Sequence, residues 1–394
     1  MSDSTNLATR MSRLGTESAF VVLAKARALE AQGRKVVHLE IGEPDFDTPK
    51  HVIEAGAEAL RQGYTHYCPA PGLPELREAA GEFFGRTGRA AYPADRIVVT
   101  PGAKPIMFLA IMALCEEGDE VIYPDPGFPM YESITAFAGA KPVPVPLREG
   151  NDFRVDPDEV ASLITDRTRM LILNSPHNPC GSALTRQDVE ALADIAIRHD
   201  LVVLSDEMYW AIRYGGEHAS ISTVDGMADR TILLDGCSKT FAMTGWRLGF
   251  AALPPGLVEP VTRLIINAVS CTAAFTQRAA LAALTGPWDE IDAMVEEFGR
   301  RRKVIVDGLN RIPGITCTEP RGAFYVFPNV TGLGATSERV AEHLLNEAGV
   351  AGLSGATFGA AGEGYLRLSY ANSVDAIGSA LEAIEASLPS LRTA

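Results

Sequence analysis

Short apolar runs alternate along much of the chain with longer segments in which apolar residues recur every three or four positions. The short runs lie at 97–100, 120–123, 170–173, 201–204 and 231–234. Runs of three or four successive apolar residues fit strands covered on both faces, as in a parallel sheet wound with helices. Segments 104–114 and 186–199 have helical period, and Thr185 with Asp188 three residues later forms a variant capping box at the start of the second. The alternation predicts an α/β fold: a three-layer large domain around a mainly parallel sheet. Beyond about Gly286 the pattern changes to a long charged helix at 288–310, followed by short strands near 316–317, 324–327 and 365–369. That predicts a smaller α+β domain joined by the long helix, with a helical run at 20–32 free to pack on either domain.

The turns at the strand ends carry the chemistry. They are Pro101-Gly102-Ala103-Lys104, Pro124-Asp125-Pro126-Gly127-Phe128, Asn174-Ser175-Pro176-His177-Asn178-Pro179, Ser205-Asp206-Glu207-Met208-Tyr209 and Asp235-Gly236-Cys237-Ser238-Lys239. Ligands of open parallel sheets bind outside the carboxyl ends of the strands, so these turns are expected to share one cleft. Lys239 reads either as a surface lysine or as a desolvated amine that condenses with the carbonyl of a cofactor. Arg247, eight residues on, suits a phosphate, and so do the backbone N–H groups of the 102–104 turn at the start of a helix. Asp206 is a solvated turn residue or a carboxylate that keeps a pyridine nitrogen protonated. Asn178 reads as a turn former and Tyr209 as a buried aromatic until the set is taken together.

The chain has 394 residues, 46% hydrophobic and 22% charged, an ordinary globular composition too long for one small domain. Its 35 basic and 50 acidic side chains give a net charge of -15, which argues against nonspecific binding of nucleic acid or an anionic membrane. Six scattered cysteines without a C-x-x-C pair, and a polar start without a signal peptide, point to reduced thiols in the cytoplasm. No apolar run approaches the roughly 20 residues of a membrane helix, and no histidine spacing suggests a metal site. A dinucleotide enzyme is excluded because no strand is followed by G-x-G-x-x-G.

Three motifs then carry a resemblance: Leu39-Glu40-Ile41-Gly42-Glu43-Pro44-Asp45-Phe46, Ser238-Lys239-Thr240 and Leu366-Arg367-Leu368-Ser369-Tyr370. With the turns above, in order and spacing, the chain resembles the fold-type I pyridoxal-phosphate enzymes of the aspartate aminotransferase family, class I/II, over nearly its whole length. The resemblance implies pyridoxal 5'-phosphate as cofactor, a large domain at 45–286, a small domain from 1–44 and 287–394, and a homodimer with shared active sites. It implies Lys239 as the catalytic lysine and Asp206 as the partner of the ring nitrogen. Asn178 and Tyr209 would bond the ring oxygen, and Phe128 would stack on the ring. Gly102, Ala103, Lys104, Ser238 and Arg247 would hold the phosphate, with Tyr67 reaching the neighbouring subunit's phosphate.

For the substrate, the resemblance implies that Arg367 binds the α-carboxylate and that Gly42 and Asn178 line the pocket. Lys104 would hold a distal carboxylate, and Phe324 either lines the same pocket or belongs to the core. Glu17 either points inward and repels such a carboxylate or caps the helix that starts beside it. The expected reaction is ping-pong transamination between an L-amino acid and a 2-oxo acid, of aspartate/glutamate type or broad specificity. A lyase or oxidase on the same scaffold is the alternative. The acidic balance, without a basic helix-turn-helix, argues against a noncatalytic regulator.

Overall fold

The computed structural model describes residues 7–391, so the outermost residues of the expected small domain, 1–6 and 392–394, lie outside it. Helix α1 (Ser18–Glu30) leads through β1 (Val37–His38) to α2 (Lys50–Arg61), α3 (Pro74–Arg86) and β2 (Ile97–Thr100). Strands and helices then alternate: α4 (Lys104–Leu114), β3 (Glu120–Asp125), α5 (Met130–Ala138), β4 (Lys141–Pro146), α6 (Pro157–Leu163), β5 (Thr168–Asn174), α7 (Arg186–Arg198), β6 (Val202–Asp206) and β7 (Thr231–Gly236). The short α8 (Cys237–Thr240), β8 (Gly249–Ala252), α9 (Pro255–Val269), α10 (Ala274–Thr285) and α11 (Asp289–Leu309) come next. The chain ends in β9 (Tyr325–Val326), α12 (Ser337–His343), β10 (Val350–Ala351), β11 (Leu353–Ser354), β12 (Leu366–Ser369) and α13 (Val374–Leu391).

Strands β2-β8-β7-β6-β5-β3-β4 form one seven-stranded sheet in that order, with β8 antiparallel to both neighbours and the remaining pairs parallel. All five expected strands belong to it. Because strand side chains alternate between faces, the apolar run of β2 serves two cores. Val98 packs with Ile106, Leu109 and Ile172 on one side, while Ile97 and Val99 pack with Leu76, Phe83 and Ala280 on the other. Helices on both faces complete the three layers of the α/β fold. The expected capping box is present: Thr185 Oγ1 accepts from the Asp188 N–H, and the Asp188 carboxylate accepts from the Thr185 N–H.

Two strands of this sheet have no clear signal in the sequence. Strand β4 reads Lys-Pro-Val-Pro-Val-Pro and lies at the sheet edge, where a missing N–H is tolerated. Strand β8 is the four-residue Gly-Phe-Ala-Ala.

Distant parts of the chain meet beside this sheet. Strand β1 pairs in parallel with β10, and β11-β12-β9 form an antiparallel three-stranded sheet. A core with Phe298, Ile305, Leu368, Tyr370, Ile377 and Ile384 holds α11, α13 and β12 together. The strand expected at 316–317 is a single bridge between Thr316 and Asn329.

Candidate active site

The turns after β2, β3, β5, β6 and β7 open into one cavity of about 590 Å3, which the N-terminal segment and β12 close. Lys104, Phe128, Asn178, Asp206, Tyr209, Ser238, Lys239, Arg247, Gly42, Arg367 and Glu17 line it, together with Ala103. The sequence thus names half of the lining, but not how the residues hold one another.

Lys239 lies in α8, one turn past the end of β7, and its Nζ donates to the Gly42 carbonyl at 2.5 Å. Burial pulls its pKa down to about 8; Glu43 opposes the shift, and the cations Arg367, Arg247 and Lys104 add to it. At that value a minority of the amine is neutral near physiological pH, far more than for an ordinary lysine, and the neutral form is a competent nucleophile and base. The strand that delivers it is anchored by a buried ion pair. Arg89 Nη1 meets Asp235 Oδ2 at 2.6 Å, and Asp235 Oδ1 accepts from the Gly236 N–H at 2.7 Å.

Asp206 ends β6 with its carboxylate buried. Tyr131 Oη donates to its Oδ2 at 2.7 Å and the Met208 N–H to its Oδ1 at 3.3 Å. Burial pushes its pKa up to about 6; the two hydrogen bonds oppose that rise, and the charges of Asp235 and Glu207 reinforce it. In the neighbouring strand, Asn174 is in register with Asp206 and donates to its carbonyl at 2.9 Å. Asn174 Oδ1 accepts from the Asn178 N–H at 2.8 Å, fixing the turn that presents Asn178.

Arg367, on β12, reaches the same turn: its Nη1 donates to Asn178 Oδ1 at 3.2 Å and its Nη2 to the Glu40 carbonyl. Its buried Nε has no protein partner. The Tyr209 and Tyr325 hydroxyls lie 2.7 Å apart. An added Cβ on Gly42 would come within 2.1 Å of Tyr325 Oη, so this close approach requires glycine.

At the other end, Gly102 has φ +91°, and an added Cβ would sit 2.3 Å from Arg247 Nη2. Arg247 Nη1 donates to the Thr244 carbonyl at 2.8 Å, which holds the guanidinium against the turn that begins α4.

Three expected placements are corrected or sharpened. Phe324 is not in the cavity wall: it is fully buried in the core, and Tyr325 lines the cavity in its place. Glu17 stands at the start of α1, but its side chain caps no backbone N–H; it forms an ion pair with Lys104 in the cavity instead. Tyr67 is 88% exposed and belongs to a separate surface pocket with Tyr64 and Phe275, outside the cavity of its own chain. Tyr131, Asn174 and Tyr325 are the functional residues that sequence reasoning missed. Of these, only Asn174 carried a signal, at the end of a strand that runs into the Asn178 turn.

Comparison with known proteins accords with this geometry. Residues 34–384 match the family described as aminotransferase class I and II. An aspartate aminotransferase from Pyrococcus abyssi is 44% identical over 90% of this chain and 92% of its own. An aromatic-amino-acid aminotransferase from Thermococcus litoralis is 42% identical over the same shares. The crystal structure of the aspartate aminotransferase from Rhizobium meliloti superposes with a TM-score of 0.94 at 37% identity, covering 98% of this chain and 99% of that one. The chain belongs to the class I and II aminotransferases, enzymes that depend on pyridoxal phosphate. The residues present fit that cofactor: a neutralisable lysine, a buried carboxylate without a cationic side chain hydrogen-bonded to it, and a glycine turn backed by an arginine all face one cavity.

Proposed function

We propose that this cavity carries out ping-pong transamination of L-amino acids, with Lys239 as its catalytic residue. The observation that carries the reading is the convergence of Lys239, Asp206, Arg247 and Arg367 on a single cavity. When bound, pyridoxal phosphate supplies an electron sink for negative charge at the substrate α-carbon. Asp206 would hold a proton on the ring nitrogen, and the Tyr131 hydroxyl, donating to Asp206 Oδ2, favours the ionised carboxylate that this needs. Arg247, Ser238 and the N–H groups of the 102–104 turn would hold the phosphate. Asn178 and Tyr209 would donate to the ring oxygen, and Phe128 would pack on the ring.

Arg367, already oriented by Asn178 and the Glu40 carbonyl, takes the α-carboxylate in a two-point fork. Lys239 Nζ, depressed in pKa, takes the proton from the α-carbon. Relatives named for aspartate and for aromatic amino acids support a pocket that accepts more than one kind of side chain.

The same reading includes a homodimer, in which the exposed Tyr67 reaches the partner's phosphate site, and a division into 45–286 and 1–44 with 287–394. Exposed apolar side chains such as Leu7, Val21 and Leu60 are consistent with a covered contact in the dimer. A cytoplasmic location is supported by six unpaired cysteines. No helix among the described residues is long and apolar enough to cross a membrane.

A panel of amino acids tests the reaction, with keto acid, ammonia and hydrogen peroxide measured with and without 2-oxoglutarate. Transamination gives a single turnover of keto acid without acceptor and sustained turnover with it. Ammonia released without acceptor contradicts the reading in favour of a lyase or oxidase.

A further inference from the structure

Four cations line the cavity, and three have evident tasks. Lys239 is the reactive amine, Arg247 backs the glycine turn, and Arg367 leaves a buried Nε unpartnered beside Asn178. Lys104 is the fourth. Its ammonium does not stand free for a substrate: Glu17 Oε1 pairs with its Nζ across the cavity mouth. Glu17 is held in this position from below, since the Gly15 N–H donates to Ser133 Oγ at 2.8 Å and pins the segment entering α1 to helix α5.

The cavity that holds this pair also has apolar wall residues, Phe20, Ile41, Met107 and Phe128, and the Lys104 ammonium lies 5.4 Å from the centre of the Phe128 ring. A substrate carboxylate seeking Lys104 has to displace Glu17 or share the ammonium with a second anion. A substrate cation seeking Glu17 meets Lys104 in the same way. A neutral side chain leaves the pair intact and covers the apolar wall.

We propose that Glu17 is a specificity-determining residue: by occupying Lys104 it disfavours amino acids with a distal carboxylate and favours neutral, apolar or aromatic side chains. The proposal rests on the aminotransferase reading above and names the substrate class of the same site. The acceptor oxo acid obeys the same rule, so a dicarboxylic acceptor binds by displacing Glu17 from Lys104.

The test compares wild-type holoenzyme with Glu17→Gln and, against an effect peculiar to the amide, Glu17→Ala. The half-reaction kcat/KM is measured for aspartate and for phenylalanine, and maleate binding is followed by calorimetry, which needs no turnover. Expected is a rise of about tenfold or more in the ratio of aspartate to phenylalanine specificity in both variants, with a comparable drop in the maleate Kd. An unchanged or falling ratio with an unchanged maleate Kd overturns the role of Glu17 while leaving the transaminase reading intact. If wild type converts neither of these nor any other amino acid of the panel above, the transaminase reading fails, and the maleate titration alone decides on Glu17.

Discussion

The Tyr131 hydroxyl donates a 2.7 Å hydrogen bond to Asp206 Oδ2 in the wall of the cavity, where both side chains are buried. This is the support that lets a buried carboxylate stay charged. Burial alone drives Asp206 toward its neutral form, and a neutral acid cannot hold a proton on the ring nitrogen. Tyr131→Phe removes the donor with little change in shape. Losing a charge-assisted hydrogen bond of this kind costs about 1.5–3 kcal/mol, so kcat/KM is expected to fall roughly 10- to 100-fold. The acid limb of the pH–rate profile should move to higher pH, because the carboxylate then ionises later. A profile that keeps its acid limb in place would show that Tyr131 does not act through Asp206.

Gly102→Ala tests the phosphate turn. The substitution forces a Cβ into a left-handed backbone and against Arg247, so cofactor affinity is expected to drop by about tenfold or more while the fold survives. Gly256→Ala, where an added Cβ meets nothing within 4 Å, serves as control and should retain cofactor normally. Equilibrium dialysis of pyridoxal phosphate against each variant gives the answer.

The pH dependence of cofactor uptake reports on Lys239. Only the neutral amine condenses with a carbonyl, and that fraction grows as pH rises. With a pKa depressed to about 8 by burial, the uptake rate of cofactor-free protein should climb through pH 8 and level off above it. An ordinary lysine would still be gaining at pH 10. A rate that keeps climbing beyond pH 9 would contradict the depressed value.

Arg89 and Asp235 form a pair with both side chains almost wholly buried, and the guanidinium packs 4.3 Å from the Trp210 ring centre. Arg89→Met leaves the Asp235 carboxylate without its cation at the end of the strand that carries Lys239. Removing one partner of a buried pair costs about 3–5 kcal/mol. Urea unfolding should show a loss of that size, with part of it recovered in the double variant that also carries Asp235→Leu. A loss below about 1 kcal/mol would show that the pair is not an anchor.

The five parallel strands were legible because continuous apolar runs have one physical use, burial on both faces. Strand β4 was hidden by its prolines, which an edge position permits. In the site, Lys239, Asp206, Arg247 and Arg367 stood out as charges in otherwise apolar or glycine-rich surroundings near strand ends. Tyr131 and Asn174 did not, since they are neutral and act on Asp206 and Asn178 from neighbouring elements. Phe324 and Tyr325 share one core, with ring centres 4.9 Å apart, and only Tyr325 reaches the cavity, a difference in depth that the Ala-Phe-Tyr run does not display. Whether Glu17 capped its helix or faced the pocket depended on Lys104, 87 residues away, a contact no local pattern encodes.

The catalytic assignment of Lys239 is tested most directly by reducing the holoenzyme with borohydride, digesting it and mapping the pyridoxyl label. The label should fall on the peptide containing Ser238-Lys239-Thr240, at about one per chain, and Lys239→Ala should bind cofactor without taking the label. A pyridoxyl group on any other lysine of the wild-type protein, or no label at all, would contradict it.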